Sequence, residues 1–193
     1  MAITAATMSI VESINLADYH SAKTWEMLID ELMPQFVAGF RAERIIAGRR
    51  DRVWAAARSI GIRSLWPLRV LLWLRELPSR VAGRPLEQFP IVAERPGQEL
   101  VRGICGQFWA VVGNIEEVND IAGFAREGYA KAYWSFRVED MGRGQTRVIV
   151  ETRVQTYGEP ARRKFMRYWR LVRPVVEWSR RAMLVEIERR ALR

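Results

Sequence analysis

Alternation along the chain is clearest between residues 129 and 156. From Tyr129 to Glu139, Ala132, Trp134, Phe136 and Val138 fall on one side and Lys131, Ser135 and Arg137 on the other. Beyond Gly142-Arg143-Gly144 the pattern resumes, with Val148, Val150, Thr152 and Val154 opposed to Arg147, Glu151 and Arg153. A period of two on both sides of a glycine turn predicts a β-hairpin with one buried and one solvated face. On that reading Glu151 and Arg153 face solvent and pair across strands. From Glu159 the period changes. Phe165, Trp169, Val172, Val176, Met183 and Ile187 recur at helical spacing, predicting one long helix to Leu192 with a single apolar stripe. Pro160, just after Gly158, suits the first turn, and Pro174 predicts a kink rather than a stop. The basic residues Arg162, Arg163, Lys164, Arg167, Arg170, Arg173, Arg180 and Arg181 are assigned to the opposite, outer face.

Upstream, Gln35 to Ala47 reads as a strand and Asp51 to Ile60 as a short helix ended by Gly61. A second helix is expected from Leu65 to Val81, ended by Pro78. Pro90 to Arg95, Glu99 to Cys105 and Gln107 to Gly113 are β-rich, and 114–127 reads as an irregular connection. Residues 1–32 read as an N-terminal appendage, partly helical from about Ser21 to Leu32, and 33–193 as a single domain. This order predicts an α+β fold. A curved antiparallel sheet wraps around the C-terminal helix, with two short helices after the first strand, and the space between sheet and helix is where a ligand would sit.

Composition sharpens that expectation. The 193 residues suit one domain, and eight tryptophans can line a sizeable apolar interior. The single cysteine, Cys105, excludes an intramolecular disulfide and a multi-cysteine metal site. The opening MAITAATMSIVES lacks the basic start and apolar core of a signal peptide, and Leu65 to Leu77 is shorter than the about 20 residues a membrane span needs. A cytoplasmic location is the resulting expectation. Residues 159–193 carry eleven lysines and arginines against four glutamates, +7 of the chain's formal +9.

The segments MPQFVAGFRAERIIAGRRDRVWAAA (33–57), PGQELVRGICGQFW (96–109), GYAKAYWSFRVEDMGRGQTRVIVETRV (128–154) and ARRKFMRYWRLVRP (161–174) carry a resemblance to a known superfamily. From Met33 onward the chain resembles the START-like, helix-grip proteins (SRPBCC), which include polyketide cyclase/dehydrase and lipid-transport members, in a bacterial branch. The resemblance implies a helix-grip fold and a ligand cavity, and leaves the reaction open. Where relatives carry an acidic residue and a histidine in the first strand, this chain has Phe40 and Ala42. Gly48-Arg49-Arg50 replaces the usual Ala-Pro-Pro. The first departure makes acid–base chemistry harder to carry over and the pocket greasier.

The only histidine, His20, lies in the appendage, so a catalytic histidine or a Ser-His-Asp arrangement is not expected. No zinc spacing and no phosphate-binding glycine loop is present, and no metal or cofactor is implied. The catalytic candidates are Arg44, whose parity points it inward toward a carboxylate or enolate, and Tyr168, a hydrogen-bond donor to a carbonyl. Arg44 snorkelling to the rim is the commoner alternative. The ligand-lining candidates are Phe40, Trp54, Gln107, Trp109, Trp134, Phe136, Val150, Thr152, Phe165, Trp169 and Val172. The function expected is binding of a hydrophobic small molecule, as a cyclase-type enzyme of secondary metabolism acting by substrate folding and carbonyl polarisation. The alternative is a non-catalytic carrier docking through the basic helix. Partners would be the small molecule and an acidic protein or membrane surface, with a homodimer as a further option. Nucleic acid ranks last, because the helix's aromatics are assigned to the buried stripe.

Overall fold

The computed structural model describes residues 27–60, 89–110 and 114–193. A short helix α1 (Leu28–Leu32) precedes strand β1 (Ala38–Ile46) and helix α2 (Arg50–Arg58). Strands β2 (Ile91–Arg95), β3 (Glu99–Gln107), β4 (Asn114–Glu116), β5 (Ala130–Gly142) and β6 (Gln145–Thr156) follow, and helix α3 (Glu159–Ala191) ends the chain. The strands form one antiparallel six-stranded sheet in the order β1-β6-β5-β3-β2, with β4 also paired to β3. This is the expected α+β, helix-grip arrangement. The second short helix expected after β1, at Leu65–Val81, lies outside the described residues, as do His20 and the earlier part of the helix expected from Ser21. The stretch 114–127 is not wholly irregular, since Asn114–Glu116 pairs with Cys105–Gln107.

The hairpin β5–β6 is closed by Arg143 and Gly144 at φ 54° and 73°. A two-residue loop with both centres left-handed matches the right-handed twist of the flanking strands, which is why glycine is needed there. In register, Trp134 faces Thr152, Phe136 faces Val150 and Val138 faces Val148, so the apolar positions of both strands share the inner face. On β1, Phe40, Ala42, Arg44 and Ile46 join that face opposite Thr152, Val150, Val148 and Thr146.

Helices α2 and α3 cover the inner face. Helix α3 runs on through Pro174 to Ala191 and lies closest to β1 and β6. Its last turns press Met183, Leu184, Ile187 and Ala191 onto Ile46, Val53, Ala57, Val148 and Val150, closing that end as solid core. Each of the larger side chains buried there stabilises by about 1.5–3 kcal/mol.

The outer face is also covered, contrary to the expectation from alternation. Met27, Leu28, Ile29 and Met33 pack over Val101, Cys105, Tyr133 and Ile149. Gly103 makes room for this layer, because a Cβ there would sit 2.8 Å from both the Tyr133 ring and Val92. Glu151 and Arg153 point to this face as predicted, but they are 2% and 0% exposed rather than solvated. They pair with one another along a single strand, Arg153 Nε donating to Glu151 Oε1 at 2.6 Å. Arg153 Nη1 donates to the Met33 carbonyl at 2.8 Å and to that of Ile29 at 3.2 Å, and Nη2 donates to Asp30. The Leu28 N–H donates to Glu99 Oε2 at 3.0 Å. The polar groups at both ends of α1 are therefore satisfied by side chains from the sheet beneath it.

Candidate functional site at the inner face

One row of inner positions crosses the sheet from Arg102 through Trp134 and Thr152 to Phe40. Antiparallel pairing puts these four side chains side by side on one surface. Arg180 comes down onto the row from the middle of α3. Its Nε donates to Thr152 Oγ1 at 2.9 Å, and its Nη1 lies 3.3 Å from Met183 Sδ. The residue is 8% exposed and makes no ion pair with any described residue. Its neighbour Arg181, on the outer side, pairs with Glu177. Burial draws the Arg180 guanidinium down to about 10, so it stays cationic at neutral pH. This placement corrects the assignment of Arg180 to the outer basic face.

Trp134 adds a second donor to the row. Its Nε1 is buried and has no hydrogen-bond partner among the described residues. The indole is held in place by Phe89, edge-on at 5.1 Å between ring centroids. At the end of the row Arg102 Nη1 donates to the Phe89 carbonyl at 2.7 Å.

Away from the solid end, the inner face is floored by small side chains. Ala38, Ala130, Ala132 and Val154 are buried there beneath Phe165 and Trp169. Those two rings stack at 5.8 Å, and Trp109 meets Phe165 edge-on at 6.3 Å. Ile104, Phe108, Trp109, Tyr168, Val172 and Val176 pack against this cluster and are only partly buried. The inner face thus has a filled end under α2 and an alanine-floored, aromatic-walled end under the first half of α3, with Arg180 and Thr152 in the interior between them.

The residues singled out from sequence fall into three groups. Phe40, Trp134, Phe136, Val150 and Thr152 lie on the inner face of the sheet, with Trp54 packed against their cluster from α2. Trp109, Phe165, Tyr168, Trp169 and Val172 belong to the alanine-floored end. Arg44 and Gln107 are committed elsewhere. Arg44 Nη2 lies 2.6 Å from Glu188 Oε2 at the rim, and Gln107 Nε2 donates to the Gly128 carbonyl at 3.1 Å. Arg180 itself was missed, although it sits four residues after Val176 and three before Met183, on the line of the apolar stripe.

Two other features frame the site. A cleft of about 240 Å³ lies apart from this end, lined by Arg50, Arg95, Glu99, Arg137 and Glu139, and it is polar. Arg137 pairs there with Glu139 at 2.8 Å and approaches Glu99 at 3.8 Å. On the outside of α3, Arg163, Lys164, Arg167 and Arg170 are exposed, and with them Leu171 at 79% and Trp178 at 42%. Among the described residues, no group of histidine, cysteine or acidic side chains is arranged to hold a metal ion, and no helix is long and apolar enough to cross a membrane. The chain matches no protein-family model, no curated protein and no solved structure.

Proposed function

We propose that the protein binds a hydrophobic small molecule between its sheet and α3, in the manner of helix-grip ligand-binding proteins. The observation that carries this reading is the alanine-floored end, where Ile104, Phe108, Trp109, Val172 and Val176 keep apolar surface partly unburied beside stacked Phe165 and Trp169. Partly unburied apolar surface of this kind is what an apolar body covers at the expense of water. Binding is favoured over a cyclase-type reaction because Arg44, the leading catalytic candidate, is engaged by Glu188. The test is Nile red fluorescence on the purified full chain, together with native mass spectrometry for a retained small molecule. Saturable dye binding is expected, and Val172→Glu should abolish it while leaving the circular dichroism spectrum intact. Dye binding that is absent in the wild type, or equal in the variant, removes the reading.

A second reading, that the protein delivers its ligand to an anionic lipid surface, is favoured by the outside of α3. Leu171, Trp178, Val185 and Leu192 recur every seven residues and are all exposed, and Lys164 precedes them on the same line with Arg167 beside it. Apolar side chains with basic neighbours along a helix are the pattern that lies in a membrane interface. Cosedimentation with phosphatidylglycerol vesicles is expected, weakening with salt and lost in the Leu171→Glu, Trp178→Glu double variant. Equal sedimentation with phosphatidylcholine vesicles, or no effect of the two substitutions, counts against it.

A further inference from the structure

We infer that the ligand carries a carboxylate or similarly charged oxygen group, held by the guanidinium of Arg180 with the indole N–H of Trp134 as a second donor. This rests on the binding reading above and names the chemistry of its polar end. The argument is one of unmatched donors. Arg180 is 92% buried by its 8% exposure, and among the described residues its only hydrogen-bond partners are the Thr152 hydroxyl and a thioether. A guanidinium offers five N–H donors, so most of its fork is unused. Trp134 Nε1, on the neighbouring strand in register with Thr152, is likewise buried without an acceptor among the described residues.

Neither Glu188 nor Glu94, described carboxylates on this side of the sheet, pairs with Arg180, although Glu94 Oε1 is itself buried without a hydrogen-bond partner among the described residues. Glu188 is bound to Arg44, and Glu94, on β2 three strands from Thr152, is bonded to Arg58. Arg180 therefore offers positive charge, and Trp134 an N–H group, without a balancing anion among the described residues. A buried cation left uncompensated is costly to a fold. An incoming oxyanion would remove that cost, accept from both donors, and fix the orientation of the apolar body lying in the alanine-floored end. The outer face holds an equally buried arginine that is fully paired, so burial of a lone cation is not a habit of this chain.

The experiment compares acids with their methyl esters as competitors of Nile red. The probes are palmitic acid and methyl palmitate, and 1-naphthaleneacetic acid and its methyl ester. In the wild type at least one acid should displace the dye at about tenfold lower concentration than its ester, the scale of one charge-assisted hydrogen-bonded contact. Arg180→Met keeps the side chain's length without its charge. Whatever the variant's own dye affinity, the ratio of its two competition midpoints should show loss of the preference for acid over ester. Arg180→Lys, which keeps the charge, should retain part of it and serves as the second variant if the methionine form does not fold. If the wild type binds the dye but treats acids and esters alike, or Arg180→Met keeps the wild-type preference, the anionic group is refuted and the binding reading stands. If the wild type binds no dye, both fall together.

Discussion

On the outer face of the sheet, Arg153 is enclosed by Glu151, Asp30 and the carbonyls of Ile29 and Met33. On the inner face Arg180, almost as buried, meets a threonine hydroxyl and a methionine sulfur. Both sit among apolar side chains, and burial lowers the affinity of both for their protons. They differ in what surrounds the charge. The outer arginine holds parts of the protein to one another: it ties α1 and the turn after it to the sheet, with every contact made inside the chain. The inner arginine has kept its charge without an intramolecular use for most of it. A group that is equally expensive in both places, but compensated in only one, separates a structural ion cluster from a binding one.

The sharpest way to break the comparison is to remove each charge in turn from the ligand-free protein. Arg153→Met should lower unfolding stability by about 3–5 kcal/mol, because it leaves buried Glu151 and half-buried Asp30 without their partner and the carbonyls of Ile29 and Met33 without the Arg153 donor. Arg180→Met should leave stability unchanged or raise it by about 1–2 kcal/mol, because an uncompensated charge is replaced by an apolar chain of similar length. Urea unfolding followed by tryptophan fluorescence measures both. Opposite signs sustain the distinction. A loss at Arg180 as large as that at Arg153 would make the inner arginine a structural residue.

Why one arginine could be read from sequence and the other could not follows from what periodicity encodes. Alternation in 129–139 and 146–156 assigned Val148, Val150, Thr152 and Val154 to one face and Glu151 and Arg153 to the other, and the register agrees residue by residue. Alternation says which way a side chain points, not what lies over it. The polar face was therefore taken as solvated. The contrary signal was Tyr133 and Ile149 on that same face, two apolar residues that a solvated surface would not require. The covering layer comes from residues 27–33, far away in sequence and, up to Leu32, set apart as an appendage, so no local pattern reports the contact. On α3 the difficulty is chemical. Arg180 occupies a stripe position by spacing, but an arginine on an apolar stripe is ordinarily read as an interruption of it. The seven-residue gap between Val176 and Met183 was the clue, and it marks the residue on which the inferred anion site depends.

The outer cluster should also show itself in the pH dependence of folding, with a smaller effect. Burial pushes the Glu151 carboxyl up to about 8, opposed by Arg41 and reinforced by the charges of Asp30 and Glu99, and burial raises Glu99 as well. In the unfolded chain Glu151 returns to its ordinary value near 4.5. Between those two values the folded state binds more protons than the unfolded state, so stability is greatest at the acid end of that window and declines as pH rises through about 8. Glu186, bonded by Arg189 and Arg190, is held down at about 2, so its contribution changes only at more acid pH and leaves this window alone. Thermal melts from pH 5 to pH 8 should therefore show stability falling across a range where no histidine is available to titrate in the described residues. Glu151→Gln, neutral at every pH and similar in shape, should flatten most of the decline and leave only what Glu99 contributes. A wild-type profile that rises toward pH 8 would mean that the outer cluster is ionised throughout. Its compensation would then come wholly from Arg153 and Arg41 and not in part from a retained proton, which would set the two faces further apart.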